Sequence, residues 1–286
     1  MEKSSITAFI TRVKQEEETN PLIMGILNLT PDSFYDGGSY LSEREYLPRV
    51  EQMLSEGADI IDLGAVSTRP GAKELSQEEE WGRLKTALEK ILKQFPSVTL
   101  SVDTWRAEVA RRAIDKGVAL INDISGGTMD PGMFEVISHS SVAYILMHMV
   151  GTPETMQQNI HYTNVTRQVS DFFIQRTEML EKRGVEQIIL DPGFGFGKTI
   201  HHNYKLLSEL QALRVKNYPL LVGISRKSMI YKALKTTPQE SLTGTTVLNT
   251  LALLHGADIL RVHDVREAKE AVTLTTRFQQ TAKQTI

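Results

Sequence analysis

Gln187-Ile188-Ile189-Leu190-Asp191-Pro192-Gly193-Phe194-Gly195-Phe196-Gly197-Lys198 joins an apolar, β-branched run to an Asp-Pro stop and a series of alternating glycines. Residues 187–190 read as a strand, and Asp-Pro ends it because proline restricts its own φ and the residue before it. The glycines follow Asp-Pro and do not fit the G-x-G-x-x-G turn that opens a helix in a doubly wound nucleotide-binding sheet. They read instead as a loop that lets backbone approach a ligand closely.

Similar apolar segments recur outward from this stretch, at residues 22–27, 59–63, 99–102, 119–124, 142–147, 220–224 and 259–262. Several are continuously apolar, as expected of parallel strands covered on both faces. The segments between them keep helical spacing. Leu47, Val50 and Leu54 make one stripe, Val109, Ala110, Ala113 and Ile114 another, and Val165, Val169, Phe172, Phe173, Met179 and Leu180 a third. Strand then helix, eight times, predicts an α/β chain folded as a single (β/α)8 TIM barrel with its active site at the C-terminal ends of the strands. No Pro/Gly/Ser-rich linker divides the chain. The expected division is a polar N-terminal extension over residues 1–20 and a barrel domain over residues 21–286. Two strand-to-helix connections, residues 30–41 and 67–76, are long and carry Gly and Pro, so they are expected to act as mobile covers.

Composition narrows the function classes. A chain of 286 residues with 41% apolar and 23% charged residues is long enough for one α/β barrel or two small domains. Its formal charge of −3, with 32 Lys and Arg scattered along the chain, argues against a nucleic-acid partner. The absence of cysteine excludes disulfides, thiolate nucleophiles and thiolate metal sites, and suits a reducing compartment. Residues 1–20 carry Glu16-Glu17-Glu18 and lack a signal-like apolar stretch, and no run approaches the roughly 18 apolar residues that span a bilayer. The expectation is a cytoplasmic protein without a membrane partner.

In such a barrel, polar residues at strand ends carry a raised functional prior. Asp62, Asp103, Asn122, His148, Asp191, Lys227 and His263 all fall at or just beyond predicted strand ends. Any one alone is as readily a cap or turn residue. Their convergence on one rim favours a shared site.

Asn28-Leu29-Thr30-Pro31-Asp32-Ser33-Phe34, Ser67-Thr68-Arg69-Pro70-Gly71-Ala72, the 191–198 run and Ser225-Arg226-Lys227-Ser228 each follow such a strand. With Ser101-Val102-Asp103-Thr104, Ile121-Asn122-Asp123-Ile124-Ser125-Gly126-Gly127, Met147-His148-Met149 and Arg261-Val262-His263-Asp264-Val265, the pattern resembles dihydropteroate synthase from about Pro21 to the helix after Asp264. That family joins a dihydropterin diphosphate to 4-aminobenzoate. A pterin edge presents an amino group, N–H donors, a carbonyl and ring nitrogens, so its pocket needs carboxylates, an amide and a cation. The resemblance implies that Asp103, Asn122, Asp191 and Lys227 supply these, with Ile124 and Met147 as apolar walls.

It further implies a diphosphate site from Asn28, Thr68, Arg69, Arg261 and His263, with Asn28 helping to hold Mg2+. Phe34, Pro70, Phe196 and Ser228 would form the 4-aminobenzoate slot, which sulfonamide inhibitors would share. Phe34 and Phe196 in an ordinary barrel would more often be packing residues. Asp103, Lys227, Asp32 and Arg69 are the implied catalytic residues, acting on a reaction in which diphosphate leaves before the amine attacks. A homodimer through barrel helices is also implied. Val150 stands where a longer polar or basic residue is common in the family, and is expected to alter only a rim contact; Leu29 and Tyr35 are milder variants.

Two rival readings are weaker. A pterin-binding methyltransferase barrel has no use for the Thr68-Arg69-Pro70 loop, the 225–228 run or the Arg261 and His263 pair. A catalytically silent pterin-binding scaffold predicts eroded charged residues, and none is lost.

Overall fold

β1 (Leu22–Asn28) begins a set of eight strands continued by β2 (Ile60–Gly64), β3 (Leu100–Asp103), β4 (Leu120–Asp123), β5 (Ala143–Met147), β6 (Ile188–Asp191), β7 (Leu221–Val222) and β8 (Ile259–Val262). The computed structural model describes residues 3–29, 43–66, 75–158 and 160–284. Neighbouring strands pair in parallel in the order β6-β5-β4-β3-β2-β1-β8-β7. A parallel bridge between Leu190 and Leu220 joins the two edges, so the sheet closes on itself as a (β/α)8 barrel.

Helices α2 (Glu43–Glu56), α3 (Gln77–Gln94), α4 (Ala107–Asp115), α5 (Met133–Ser138), α6 (Val165–Glu181) and α7 (Ile200–Ser208) follow the first six strands in turn. Two helices, α8 (Ser228–Leu234) and α9 (Leu242–Leu254), follow β7, and α10 (Val265–Gln284) follows β8. Among the described residues no helix is long and apolar enough to cross a membrane.

Strand alternation divides the apolar residues into two layers. Ile61, Leu63, Val102, Ile121, Tyr144, Leu146, Leu190 and Val262 face outward and share one core with Val50, Leu88, Val109, Val169, Phe173 and Ala268 of the helices. Met24, Ile60, Leu120, Ile145, Ile189, Leu221 and Ile259 face inward and form a second core.

The floor of that inner core differs from the expected polar extension. Residues 3–14 form α1 (Lys3–Lys14), whose Ile6, Phe9, Ile10 and Val13 are buried against the inward-facing strand residues. Their spacing of i, i+3, i+4 and i+7 is an amphipathic stripe that the surrounding Lys, Thr and Glu residues obscure. The helix seals the N-terminal mouth of the barrel, so only the opposite mouth remains for a ligand.

β7 is also shorter than the expected 220–224 run. Gly223 lies just past its end, where an added Cβ would stand 3.7 Å from Arg261 Cβ. Of the two expected mobile covers, residues 30–42 and 67–74 lie outside the described residues, and Ser76 caps α3 by accepting from Glu79 N–H.

Because Ile10 is fully buried on the barrel floor, Ile10→Ala should reduce unfolding free energy by about 2–4 kcal/mol in urea titrations. Glu17→Ala, which removes only the exposed pair with Arg12, should change it by less than about 1 kcal/mol. Equal effects from the two substitutions would contradict the packing role of α1.

Candidate active site

Leu260 and Val262 face the helices, so alternation turns Arg261 into the barrel. Its Nε donates to Asp62 Oδ2 at 2.7 Å and its Nη2 to Asp103 Oδ2 at 2.9 Å. Asn122 Nδ2 donates to the same Asp62 oxygen at 3.0 Å. Because a carboxylate only accepts, this bond orients the Asn122 amide with its nitrogen toward Asp62 and leaves its oxygen to face elsewhere. Asp62 Oδ1 and Ser101 Oγ, both buried, have no hydrogen-bond partner among the described residues.

These charges sit where water is scarce. Burial pushes the Asp103 carboxyl up to about 7, opposed by the Arg261 guanidinium and reinforced by Asp62. Burial works against the Arg261 charge too, but Asp62 and Asp103 outweigh it and raise its pKa. The cluster behaves as one coupled unit.

Across the mouth, Asp191 ends β6 and Lys227 follows β7. Burial raises the Asp191 pKa, with the nearby Lys227 charge as the main counterweight. Burial lowers Lys227 to about 8, against the pull of Asp191. Lys227 Nζ donates to Phe194 O and lies 4.7 Å from the centre of the Phe196 ring. The glycine loop makes this possible. Gly193 has φ +68°, and a Cβ there would stand 2.0 Å from His148 O, so no other residue fits. Gly193 N–H in turn donates to Asp191 Oδ1 at 2.7 Å.

Beside the charged groups lies an apolar wall of Ile124, Met147, Met149 and Met156, with Trp105, Met129 and Phe196 packed on it. Ser228 is half-buried at the start of α8, next to Lys227.

His263, just beyond β8, is held by Ser225. The His263 backbone N–H donates to Ser225 Oγ at 3.3 Å, and that hydroxyl contacts His263 Nδ1 at 3.0 Å. With one proton and two lone pairs, Ser225 Oγ engages the backbone N–H and the ring together, and the imidazole tautomer sets the direction of its bond to Nδ1. Burial, then Arg261, lowers the His263 pKa to about 4, so the ring is a neutral donor at neutral pH. Arg49 Nη2 donates to His263 O at 2.6 Å, and Arg226 forms a two-bonded pair with Asp264 at 2.9 and 2.6 Å, which ties the β7 and β8 loops together.

Asn28 ends β1. Its Oδ1 lies 3.4 Å from where a Gly64 Cβ would stand, with Asp103 Oδ2 3.9 Å from the same point, so Gly64 separates the two side chains. Among the described residues no group of three or more His, Asp or Glu could hold a metal ion by itself. An amide and a carboxylate on one rim nevertheless suit Mg2+ that arrives with phosphate oxygens.

The structure thus brings Asn28, Asp103, Asn122, Ile124, Met147, Asp191, Phe196, Lys227, Ser228, Arg261 and His263 to one barrel mouth. Asp32, Phe34, Thr68, Arg69 and Pro70 lie outside the described residues. His148, a rim candidate, is occupied elsewhere: its ring packs on Phe172 and its Nδ1 contacts Lys198 Nζ at 3.0 Å. Sequence reasoning assigned no role to Asp62, although a lone charge within Ile60-Ile61-Asp62-Leu63 is the signal of an inward-facing polar group. It also passed over Lys198 and Ser225.

Comparison with known proteins agrees with this geometry. Residues 24–263 match the family described as pterin binding enzyme. The dihydropteroate synthase of Escherichia coli (strain K12) is 44% identical over 256 residues, covering 89% of this chain and 90% of that protein. The chain belongs to the dihydropteroate synthase family. It is a transferase of folate biosynthesis. A crystal structure of Yersinia pestis dihydropteroate synthase with a sulfonamide drug complex superposes with a TM-score of 0.87 at 41% identity, covering 91% of this chain and 95% of that one. The Thermus thermophilus dihydropteroate synthase in complex with 4-aminobenzoate gives a TM-score of 0.80 at 37% identity, with 90% and 94% coverage.

The Asp191 and Lys227 pairing predicts a titration. By carbon NMR with labelled lysine, the Lys227 ε-amino group should titrate near 8. Asp191→Asn removes the charge that raises it, so the value should fall further. A rise, or no change, would mean that the two groups do not share a site.

Proposed function

We propose that this barrel mouth condenses (7,8-dihydropterin-6-yl)methyl diphosphate with 4-aminobenzoate, giving 7,8-dihydropteroate and diphosphate. The observation that carries this reading is the meeting of Asp103, Asn122, Asp191 and Lys227 beside the Ile124 and Met147 wall. Carboxylates accept from the ring N–H and amino groups, Lys227 donates to the carbonyl side, and the apolar wall covers a ring face.

The diphosphate is assigned to the opposite edge, at Asn28, Arg261 and His263, with Thr68 and Arg69 from the second loop. With Ser225 donating to Nδ1, neutral His263 carries its proton on Nε2 and gives it to a phosphate oxygen. Arg261 is shared with two carboxylates, so it contributes a positive field more than a free fork. Mg2+ held between Asn28 and the diphosphate would supply charge neutralisation for the departing group. Phe196 and Ser228, with Phe34 and Pro70, are assigned to 4-aminobenzoate and to sulfonamides. Asp32 and Arg69 would close the loops over the site.

No protein nucleophile is required. Diphosphate departure leaves a cation delocalised into the dihydropterin ring, and Asp103 and Asp191 stabilise it in a site of low polarity. The aromatic amine then attacks the methylene. Formation of dihydropteroate from the two purified substrates tests the activity, and its absence would remove the assignment. The same assay, run as rapid-quench single turnover with saturating para-substituted anilines, tests the order of steps. The chemical rate should vary only weakly across the series. A steep fall toward electron-poor anilines, with each tenfold equal to about 1.4 kcal/mol of barrier, would favour direct displacement.

The exposed apolar side chains support a homodimer. Val247, Leu251 and Leu254 on α9 and Leu274 and Phe278 on α10 are all exposed on helices that pack together. Sedimentation velocity should show a dimer that Phe278→Glu converts to monomer; a wild-type monomer at micromolar concentration would refute the assignment.

A further inference from the structure

Lys198 is a lysine buried at 4% exposure with no carboxylate hydrogen-bonded to its ammonium among the described residues. Its Nζ lies 3.1 Å from His148 O, 3.0 Å from Gly193 O, 3.0 Å from Phe196 O and 3.0 Å from His148 Nδ1. Three carbonyls can be satisfied together only by an ammonium with its three N–H donors. Burial draws its pKa down to about 7, Asp191 draws it up and Lys227 down; His148, itself held neutral by burial, and His202 on α7 face it from the other elements.

These contacts join the end of β5 to both sides of the glycine loop. The loop is also gripped from α7: Asn203, 1% exposed, accepts from Gly195 N–H at 2.7 Å and donates to Lys198 O and Thr199 O. What the loop then presents is the Phe194 carbonyl and the Phe196 ring to Lys227, and the Gly193 N–H to Asp191.

We propose that Lys198, backed by Asn203, is a positioning residue that holds the 193–197 loop in the conformation that aims Lys227 and Asp191 at the pterin. It touches no substrate and acts through the loop. The proposal rests on the assignment of Lys227 and Asp191 to the pterin.

The test uses the full chain and its lack of cysteine. Lys198→Met should stay folded by circular dichroism and raise the KM for dihydropterin diphosphate about tenfold. Lys198→Cys, unfolded, alkylated and refolded, supplies the rescue. With 2-bromoethylamine the thiolate displaces bromide and restores a terminal ammonium; with 2-bromoethanol it gains only a hydroxyl. Recovery of KM with the amine alone is expected. Wild-type KM in folded Lys198→Met, or equal recovery with both reagents, would overturn the proposal. If Lys198→Met does not fold, Asn203→Ala carries the test with an expected KM rise of about two- to fivefold, and unchanged KM overturns it. Lys227→Ala run alongside separates the two readings: unchanged kinetics there overturn the pterin assignment and this proposal with it, whereas a defect there beside an unaffected Lys198→Met overturns only the positioning role.

Discussion

A guanidinium inside a barrel is tolerated only if its charge is answered, and the Arg261 contacts with Asp62 and Asp103 answer it across three strands. Removing one partner from such a buried set costs about 3–5 kcal/mol, because the remaining charge is left without compensation. The arrangement also fixes neighbouring polarity. Asp62 orients Asn122, and Arg261 restrains the rise of the Asp103 pKa and depresses that of His263. Polar groups on β2, β3, β4 and β8 are thereby organised around one cation.

The barrel interior can carry these charges because its other end is closed. Met24, Ile60, Leu120, Ile145, Ile189 and Ile259 fill the lower layer, and α1 covers it with Ile6, Phe9, Ile10 and Val13. Apolar burial is thus concentrated below, and the polar residues one register step further along the same strands gather above. A single two-residue alternation produces both the floor and the site.

Much of this was legible from sequence, for identifiable reasons. Continuous apolar runs bounded by Asp, Asn and Gly mark parallel strands, and most observed strands begin and end within a residue or two of the expected positions. The strand-end residues followed from the same pattern. α1 was missed because four apolar residues among Lys, Thr and Glu look like a solvated tail until a barrel floor exists to receive them. β7 was overestimated because the ladder partner, not the apolar run, decides where a strand stops. Lys198 was invisible for a different reason: a lysine after glycines reads as exposed, and only the folded loop surrounds it with carbonyls.

The barrel's closure has a mechanical consequence. From β6 round to β7 the strands are joined by continuous ladders, whereas β6 and β7 meet through the Leu190 and Leu220 bridge, with Leu190 N–H donating to Pro219 O at 2.8 Å. That seam runs directly beneath Asp191 and Lys227, while Asp103 and Asn122 stand on the unbroken part of the wall. Asp103 and Asn122 therefore stand on paired ladder, whereas Asp191 and Lys227 flank the junction that an isolated bridge closes. Above the joint, Lys227 reaches across from the β7 side to the Phe194 carbonyl, whereas the buried Lys198 ammonium ties the glycine loop back to the end of β5.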